Sequence, residues 1–175
     1  MSYTAAKKIL SLISDNPSDS FDATGKIVKK LDSLPSVEKD IRSLVKDVDW
    51  TNTPKTFCHG DLTFENMIVS NGKLYLIDFL DSFIETGLVD MSKLIFDIRY
   101  FWSHRKYDKK FQSIVRNIFF EENIRKLSTY NDHKNKINCL VIMSILRIIP
   151  YVPEHNISLR NYLNGCLKDA TRTKK

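Results

Sequence analysis

Three residues, Asp61, Asn66 and Asp78, have side-chain oxygen atoms that can bind a metal ion or accept a proton, and they lie close together in the sequence. The first two belong to the segment HGDLTFEN, residues 59–66, and the third ends the apolar run that follows it. A carboxylate such as that of Asp61 can orient a hydroxyl group and receive its proton. An amide oxygen and a second carboxylate suit Mg²⁺, which prefers hard oxygen ligands. The set predicts Mg²⁺-assisted phosphoryl transfer, a reaction that needs chiefly positioning and charge neutralisation.

A β-hairpin is predicted to bring the two metal-binding candidates together. In residues 67–77, two β-rich runs flank Asn71-Gly72, whose residues both tolerate a positive φ. Counting outward from this turn brings Asn66 within one residue of lying opposite Asp78. Strict alternation would direct these two side chains to opposite faces of the hairpin. A shared ion therefore requires the chain to leave regular strand geometry at one of the two positions.

The rest of the sequence is predicted to be helical. Apolar side chains recur at helical spacing, and the longest apolar stretch contains Arg147 and Pro150, which favours a buried helix over a membrane span. The predicted helices cover residues 4–14, 22–34, 36–48, a segment after Asp90 that extends to about residue 102, 108–127, 133–149 and 158–169. The sequence thus predicts a mainly α (α+β) protein with one small hairpin.

We expect a single domain over residues 1–175, because the length and apolar content suit one core. Its parts are a helical segment over 1–50, the loop and hairpin over 56–90, and a helical subdomain over 91–170. Among these parts only the middle one combines strands with chemically suggestive polar residues. The chemistry is therefore expected in the middle of the chain, with helices on both sides.

Charge and cysteine content narrow the functional classes. The net charge is +6, but the basic residues are scattered without an arginine stripe, which disfavours nucleic acid as a partner. A basic nucleic-acid-associated protein is the weakest alternative. The sequence predicts no membrane association. Three cysteines without Cys-x-x-Cys spacing argue against a disulfide framework and against a zinc site, so we expect a cytoplasmic location.

Three motifs together resemble the aminoglycoside phosphotransferase and choline kinase superfamily of kinase-like small-molecule phosphotransferases. They are the segment 59–66, then LIDF over 76–79, then GLVDM over 87–91. The resemblance implies that Asp61 is the catalytic base, and that Asn66 and Asp78 hold Mg²⁺ bound to ATP. It also implies the helical C-terminal lobe of a protein-kinase-like fold, with its small hairpin carrying the catalytic and metal-binding loops. The acceptor would be a hydroxyl group of a small molecule such as an aminoglycoside, choline or a sugar.

Two replacements favour a small-molecule kinase over a protein kinase: Gly60 stands where protein kinases carry arginine, and Leu80 stands where they carry glycine. Members of the superfamily also have a β-rich N-terminal lobe that covers ATP and supplies a phosphate-pairing lysine. The residues before His59 are predicted to be helical, so that lobe is expected to be absent. Three alternatives remain: a C-lobe fragment, a lobe supplied by a separate domain or chain, or a catalytically inactive module that binds nucleotides or small molecules.

Three further residues are expected to support the site. His59 is predicted to pack and hydrogen-bond behind the loop rather than to transfer protons. Asp81 is either an additional metal ligand or a carboxylate that flanks a helix. Asp90 is either the N-cap of the following helix or a residue of the site, and the resemblance implies a mainly structural role for it.

Overall fold

The computed structural model describes residues 19–35, 37–117 and 123–172. Within them the chain is mostly helical, with two small antiparallel sheets. In chain order the strands and α-helices are β1 (Ser20–Phe21), α1 (Thr24–Asp32), α2 (Lys39–Lys46), β2 (Thr53–Pro54), β3 (Met67–Ser70), β4 (Lys73–Leu76), α3 (Gly87–Tyr100), α4 (Lys109–Arg116), α5 (Ser128–Asp132), α6 (Lys134–Ile148) and α7 (Ile157–Arg172). The helix predicted over residues 4–14 lies outside the described residues.

The helical predictions correspond to observed helices with shifted ends. Those over 22–34 and 36–48 become α1 and α2, and those over 133–149 and 158–169 become α6 and α7. The single helix predicted over 108–127 is wrong as drawn. It is α4 at its start and a 3₁₀ turn at Ile124–Lys126 near its end. The short helix α5, which follows that turn, was not predicted.

The pairing of β1 with β2 was not predicted, because the sequence predicts a helical segment over residues 1–50 and only one hairpin. Ser20 pairs with Pro54, and the backbone N–H of Lys55 donates to the carbonyl of Asp19 at 3.0 Å. A strand of two residues has no readable hydrophobic period, so only tertiary structure defines it. The pair closes the segment that contains α1 and α2.

The predicted hairpin and its register are confirmed. Ser70 pairs with Lys73 and Met67 with Leu76, around the turn at Asn71-Gly72. Both turn residues have positive φ, 49° for Asn71 and 72° for Gly72, as a two-residue hairpin turn requires. The hairpin is therefore set by local sequence, and its open end lies beside the segment 59–66.

The core is formed mainly by α3 packing against α6, with α7 packing on α6. Every residue of α3 except Arg99 is buried, and α6 is buried from Cys139 to Leu146. A helix that is apolar on all sides is a buried helix. No helix among the described residues is long and apolar enough to cross a membrane. The cytoplasmic location stays a prediction.

Helix α3 begins at Gly87, earlier than predicted, and its N-cap is Thr86. The Thr86 hydroxyl oxygen accepts a hydrogen bond from the backbone N–H of Leu88 at 3.3 Å. The N-cap alternative for Asp90 is therefore wrong, because Asp90 lies inside the first turn of the helix. Its carboxylate is left to bind another part of the chain.

Candidate active site

Asp90 anchors the start of the segment 59–66, which is called the catalytic loop below. Its two carboxylate oxygens accept hydrogen bonds from the backbone N–H groups of His59 at 2.6 Å and Gly60 at 2.9 Å. Asp90 is only 3% exposed, and this burial raises the pKa of its carboxyl although the two hydrogen bonds oppose the shift. The structure thus gives Asp90 a positioning contact with the loop.

Gly60 allows the catalytic loop to approach the segment after the hairpin closely. Its φ is +85°, and a Cβ atom built at this position would lie 2.1 Å from the carbonyl oxygen of Leu80. The backbone N–H of Leu80 in turn donates to the carbonyl of His59 at 3.0 Å. Only glycine combines this φ with this closeness. The loop and the segment that follows Asp78 are therefore in direct backbone contact.

A second buried carboxylate, that of Asp97, anchors the far end of the loop. It accepts hydrogen bonds from the backbone N–H of Phe64 and from both the N–H and the hydroxyl of Ser103, each at 2.7 Å. Asp97 is completely buried. Together with Asp90, this carboxylate binds α3 to both ends of the loop.

Within the loop, Asn66 binds Asp61 directly. The side-chain amide nitrogen of Asn66 donates to the backbone carbonyl of Asp61 at 2.8 Å and lies 3.3 Å from its carboxylate oxygen Oδ2. Because the NH₂ group points at Asp61, the amide oxygen of Asn66 is the end that a cation would meet. The structure thus brings these two predicted site residues into direct contact.

Two cations face the other carboxylate oxygen of Asp61. The Nζ atom of Lys93 lies 3.0 Å from Oδ1, and Nη2 of Arg147 lies 3.7 Å from the same atom. Burial lowers the pKa of the Lys93 ammonium, the nearby Arg147 lowers it further, and Asp61 raises it. The side chain of Asp61 is 22% exposed, and its Oδ2 accepts the 3.3 Å hydrogen bond from Asn66 whereas its Oδ1 pairs with the two cations.

Regular strand geometry ends at both metal-ligand candidates. Asn66 ends a 3₁₀ turn, and Asp78 has a φ of +59°, in the left-handed region. The carbonyl of Asn66 accepts a hydrogen bond from the backbone N–H of Ile77 at 3.1 Å, so Asn66 is adjacent to the residue before Asp78. The side chain of Asp78 is exposed. The departure from alternation that a shared ion requires is present in the backbone.

His59 and Asp81 differ in surroundings. His59 is 1% exposed, its Nδ1 accepts a hydrogen bond from the backbone N–H of Asp61 at 3.3 Å, and its ring lies 4.2 Å from that of Phe79. These contacts are those of a residue that packs behind the loop. Asp81 is exposed and lines a pocket together with Gly60 and Lys93. No helix begins beside it, which disfavours the helix-flanking alternative.

Sequence reasoning missed Lys93, Asp97 and Arg147. Lys93 and Asp97 follow Asp90 at i+3 and i+7, so the three occupy one face of α3. Charged residues at this spacing on an otherwise apolar helix were the available signal. Arg147 carried none, because only the packing of α6 on α3 brings it near Asp61.

The donor set fits Mg²⁺ that is bound jointly with phosphate groups. Within the described residues, no group of three or more His, Cys, Asp or Glu side chains is arranged to hold a metal. Mg²⁺ commonly takes one or two protein ligands and completes its octahedron with substrate phosphates and waters. One amide oxygen, from Asn66, and one exposed carboxylate, from Asp78, are of the right type. They suit a nucleotide-dependent cation better than an all-protein metal centre.

Comparison with known families identifies the chain. Neither the curated proteins nor the solved structures include a significant match. The model of the family described as Phosphotransferase enzyme family (APH) matches residues 20–120. This range is more than half of the chain, and it contains the catalytic loop, the hairpin and the whole of α3. The resemblance stated from the motifs is thereby confirmed: the chain belongs to the APH phosphotransferase family.

Proposed function

We propose that the chain forms the kinase-like C-terminal lobe of an ATP- and Mg²⁺-dependent phosphotransferase whose acceptor is a hydroxyl group of a small molecule. Family membership supports the reaction class. The observation that carries the proposal is the contact between Asn66 and Asp61, at 2.8 and 3.3 Å, next to the strand end that leads into Asp78. The carboxylate of Asp61, the amide of Asn66 and the residue before Asp78 therefore lie at one edge of the hairpin.

Asp61 is the proposed base. The acceptor hydroxyl binds the carboxylate of Asp61, whose side chain is 22% exposed, and its proton passes to Asp61 as the oxygen attacks the terminal phosphorus of ATP. A new bond forms between the acceptor oxygen and this phosphorus while the bond from the phosphorus to the leaving ADP breaks. Asn66 and Asp78 are the proposed ligands of Mg²⁺, which supplies neutralisation of phosphate charge when bound. His59, Asp90 and Asp97 hold the loop in place.

An exposed apolar surface beside the site supports the proposal that another structural element covers the nucleotide. The side chains of Phe57, Ile77, Phe79 and Leu80 are 61, 43, 55 and 42% exposed and lie around the hairpin end and the catalytic loop. Apolar side chains gathered beside a polar site mark a surface that another element covers. We propose that this element is a nucleotide-covering lobe, provided by another segment or another chain.

Equilibrium binding of ATP to this chain tests the proposal. Calorimetry is expected to detect ATP binding that requires Mg²⁺ and that weakens at least about tenfold in Asp78→Ala. Glu65→Gln is the matched control, because Glu65 is an exposed carboxylate beside Asn66 with no assigned role, and it is expected to bind ATP like the wild type.

Turnover separates an enzyme from a binding module. With Mg²⁺, ATP and a panel of small-molecule alcohols, we expect phosphorylated product, and Asp61→Asn should reduce its rate by about 10²- to 10⁴-fold while leaving ATP binding intact. Binding that depends on Asp78 without turnover of any alcohol would identify a non-catalytic module. ATP binding that is independent of Mg²⁺ and of Asp78 would contradict the assigned site.

A further inference from the structure

A pocket opens beside the catalytic loop, between α3, α6 and residues 81–83. Its volume is about 360 Å³, within the range typical of small-molecule sites. Gly60 and Lys93 form part of its wall, so the pocket is continuous with the surroundings of Asp61. An acceptor bound there would place a hydroxyl group near the proposed base.

The charged side chains in the wall of this pocket are mostly basic. The wall contains the side chains of Lys30, Lys93 and Arg147 and one carboxylate, that of Asp81. The Nζ atom of Lys30 lies over the ring of Phe83, 5.9 Å from the ring centroid, and both residues line the pocket. Even when the carboxylate of Asp61 is counted with the wall, cations outnumber anions.

The two cations at Asp61 compete for one carboxylate. Lys93 makes a short ion pair at 3.0 Å, whereas Arg147 stays at 3.7 Å, beyond ordinary hydrogen-bond length. The side chain of Arg147 is 43% exposed, and its guanidinium group has five N–H donors in all to offer its partners. Two neighbouring cations repel each other, so a second anion in the pocket would be attracted to both.

We propose that the acceptor of this phosphotransferase is an anionic alcohol, a small molecule that carries a carboxylate or phosphate group beside its reacting hydroxyl. The anionic group binds Arg147, with Lys30 as a further cation of the pocket wall, and the hydroxyl faces Asp61. Cationic acceptors are disfavoured, because their charge would lie beside Lys93 and Arg147. This proposal rests on the proposed function for its reacting hydroxyl and on the pocket for its charge.

The test measures acceptor binding without nucleotide. Glycerate and glycerol 3-phosphate are compared by calorimetry at low ionic strength with uncharged glycerol and with cationic choline. We expect at least one of the two anions to bind about tenfold or more tightly than glycerol, with an affinity that falls as salt is added. Choline should bind no better than glycerol.

Arg147→Gln should remove most of the advantage of the anion, about tenfold, and its exposed position makes misfolding of this variant a minor concern. Arg172→Gln, at an exposed site on α7, is the matched control and should bind like the wild type. The proposal is overturned if neither anion outbinds glycerol, if choline binds best, or if Arg147→Gln leaves the anion affinity unchanged.

Turnover distinguishes the failure of this proposal from the failure of the proposed function. Phosphorylation of choline in preference to glycerate and glycerol 3-phosphate would support the reaction and overturn the anionic acceptor. Anion binding that depends on Arg147, in a chain that neither binds ATP nor transfers phosphate, would uphold the charge of the pocket and overturn the phosphotransferase.

Discussion

The two sides of the site are held in different ways. The catalytic loop is bound to α3 by two buried carboxylates, Asp90 and Asp97, which accept hydrogen bonds from its backbone. The opposite side, formed by the hairpin and Asp78, is exposed and lacks such anchors among the described contacts. Buried carboxylates fix backbone, whereas an exposed one is available to a ligand. Asp90 and Asp97 thus position the loop that carries Asp61, the proposed base, whereas Asp78 is the proposed ligand of a cation.

The largest loss of stability is expected when a carboxylate that binds the catalytic loop to α3 is removed. Asp97→Ala removes the acceptor of the buried Phe64 N–H and of the N–H and hydroxyl of the half-buried Ser103. We expect the free energy of unfolding to fall by about 4 kcal/mol, since each unsatisfied group costs about 1–3 kcal/mol. Urea unfolding measures the change. The exposed Asp81→Ala is the control and should stay within about 0.5 kcal/mol of the wild type.

The two glycines with positive φ give a matched comparison between the sides. Gly60→Ala on the anchored side meets the carbonyl of Leu80, whereas a Cβ at Gly72 on the hairpin meets nothing within 4 Å. We expect Gly60→Ala to lower the free energy of unfolding by about 3 kcal/mol and Gly72→Ala by about 1 kcal/mol, the latter from backbone strain alone. Equal losses in thermal unfolding would contradict the close approach at Leu80.

Asp90→Asn is expected to lower the free energy of unfolding by about 1–2 kcal/mol near neutral pH, because an amide accepts only one of the two backbone hydrogen bonds. The difference should depend on pH. Because burial raises the pKa of Asp90 above 3.8, the folded protein binds this proton at a higher pH than the unfolded chain.

Between the raised pKa and 3.8 the folded state therefore holds more protons, and this group adds stability as the pH falls. Asp90→Asn lacks the titration, so the stability difference between wild type and variant should widen as the pH is lowered through that window. Urea unfolding of both proteins at several pH values measures it. A difference that narrows would mean that the pKa of Asp90 is lowered instead.

The smallest effect is expected on the exposed side. Asp78 has a φ of +59°, which glycine adopts without the steric cost that other residues bear. Asp78→Gly should therefore leave the free energy of unfolding unchanged or raise it by up to about 1 kcal/mol, while it abolishes the proposed Mg²⁺-dependent ATP binding. A loss of more than about 1 kcal/mol would show that Asp78 has a structural role like that of Asp97.

The features that depend on neighbouring residues in the chain were predicted from the sequence. The Asn71-Gly72 turn fixed the register that sets Asn66 beside the residue before Asp78, and the spacing of Asp61 and Asn66 allowed their contact. The identity of the anchors could not be read in the same way. Thr86, not Asp90, is the N-cap of α3. The partners of Asp90 are the backbone N–H groups of His59 and Gly60, about thirty residues earlier in the chain, which the sequence does not indicate.

The clustering of basic residues around the pocket could not be predicted from the sequence. Arg147 approaches Asp61 because α6 packs on α3, a contact between segments that are far apart in the chain. The β1–β2 pair was missed for a related reason, since two residues offer no pattern. Predicting such features requires the tertiary arrangement of the helices, which periodicity alone does not provide.

The backbone contact between His59-Gly60 and Leu80 joins the two sides mechanically. The N–H of Leu80 donates to the carbonyl of His59 at 3.0 Å, so the segment that leads to the proposed base and the segment that follows the proposed cation ligand are joined through main-chain atoms. Any side chain at position 60 would force these two segments apart.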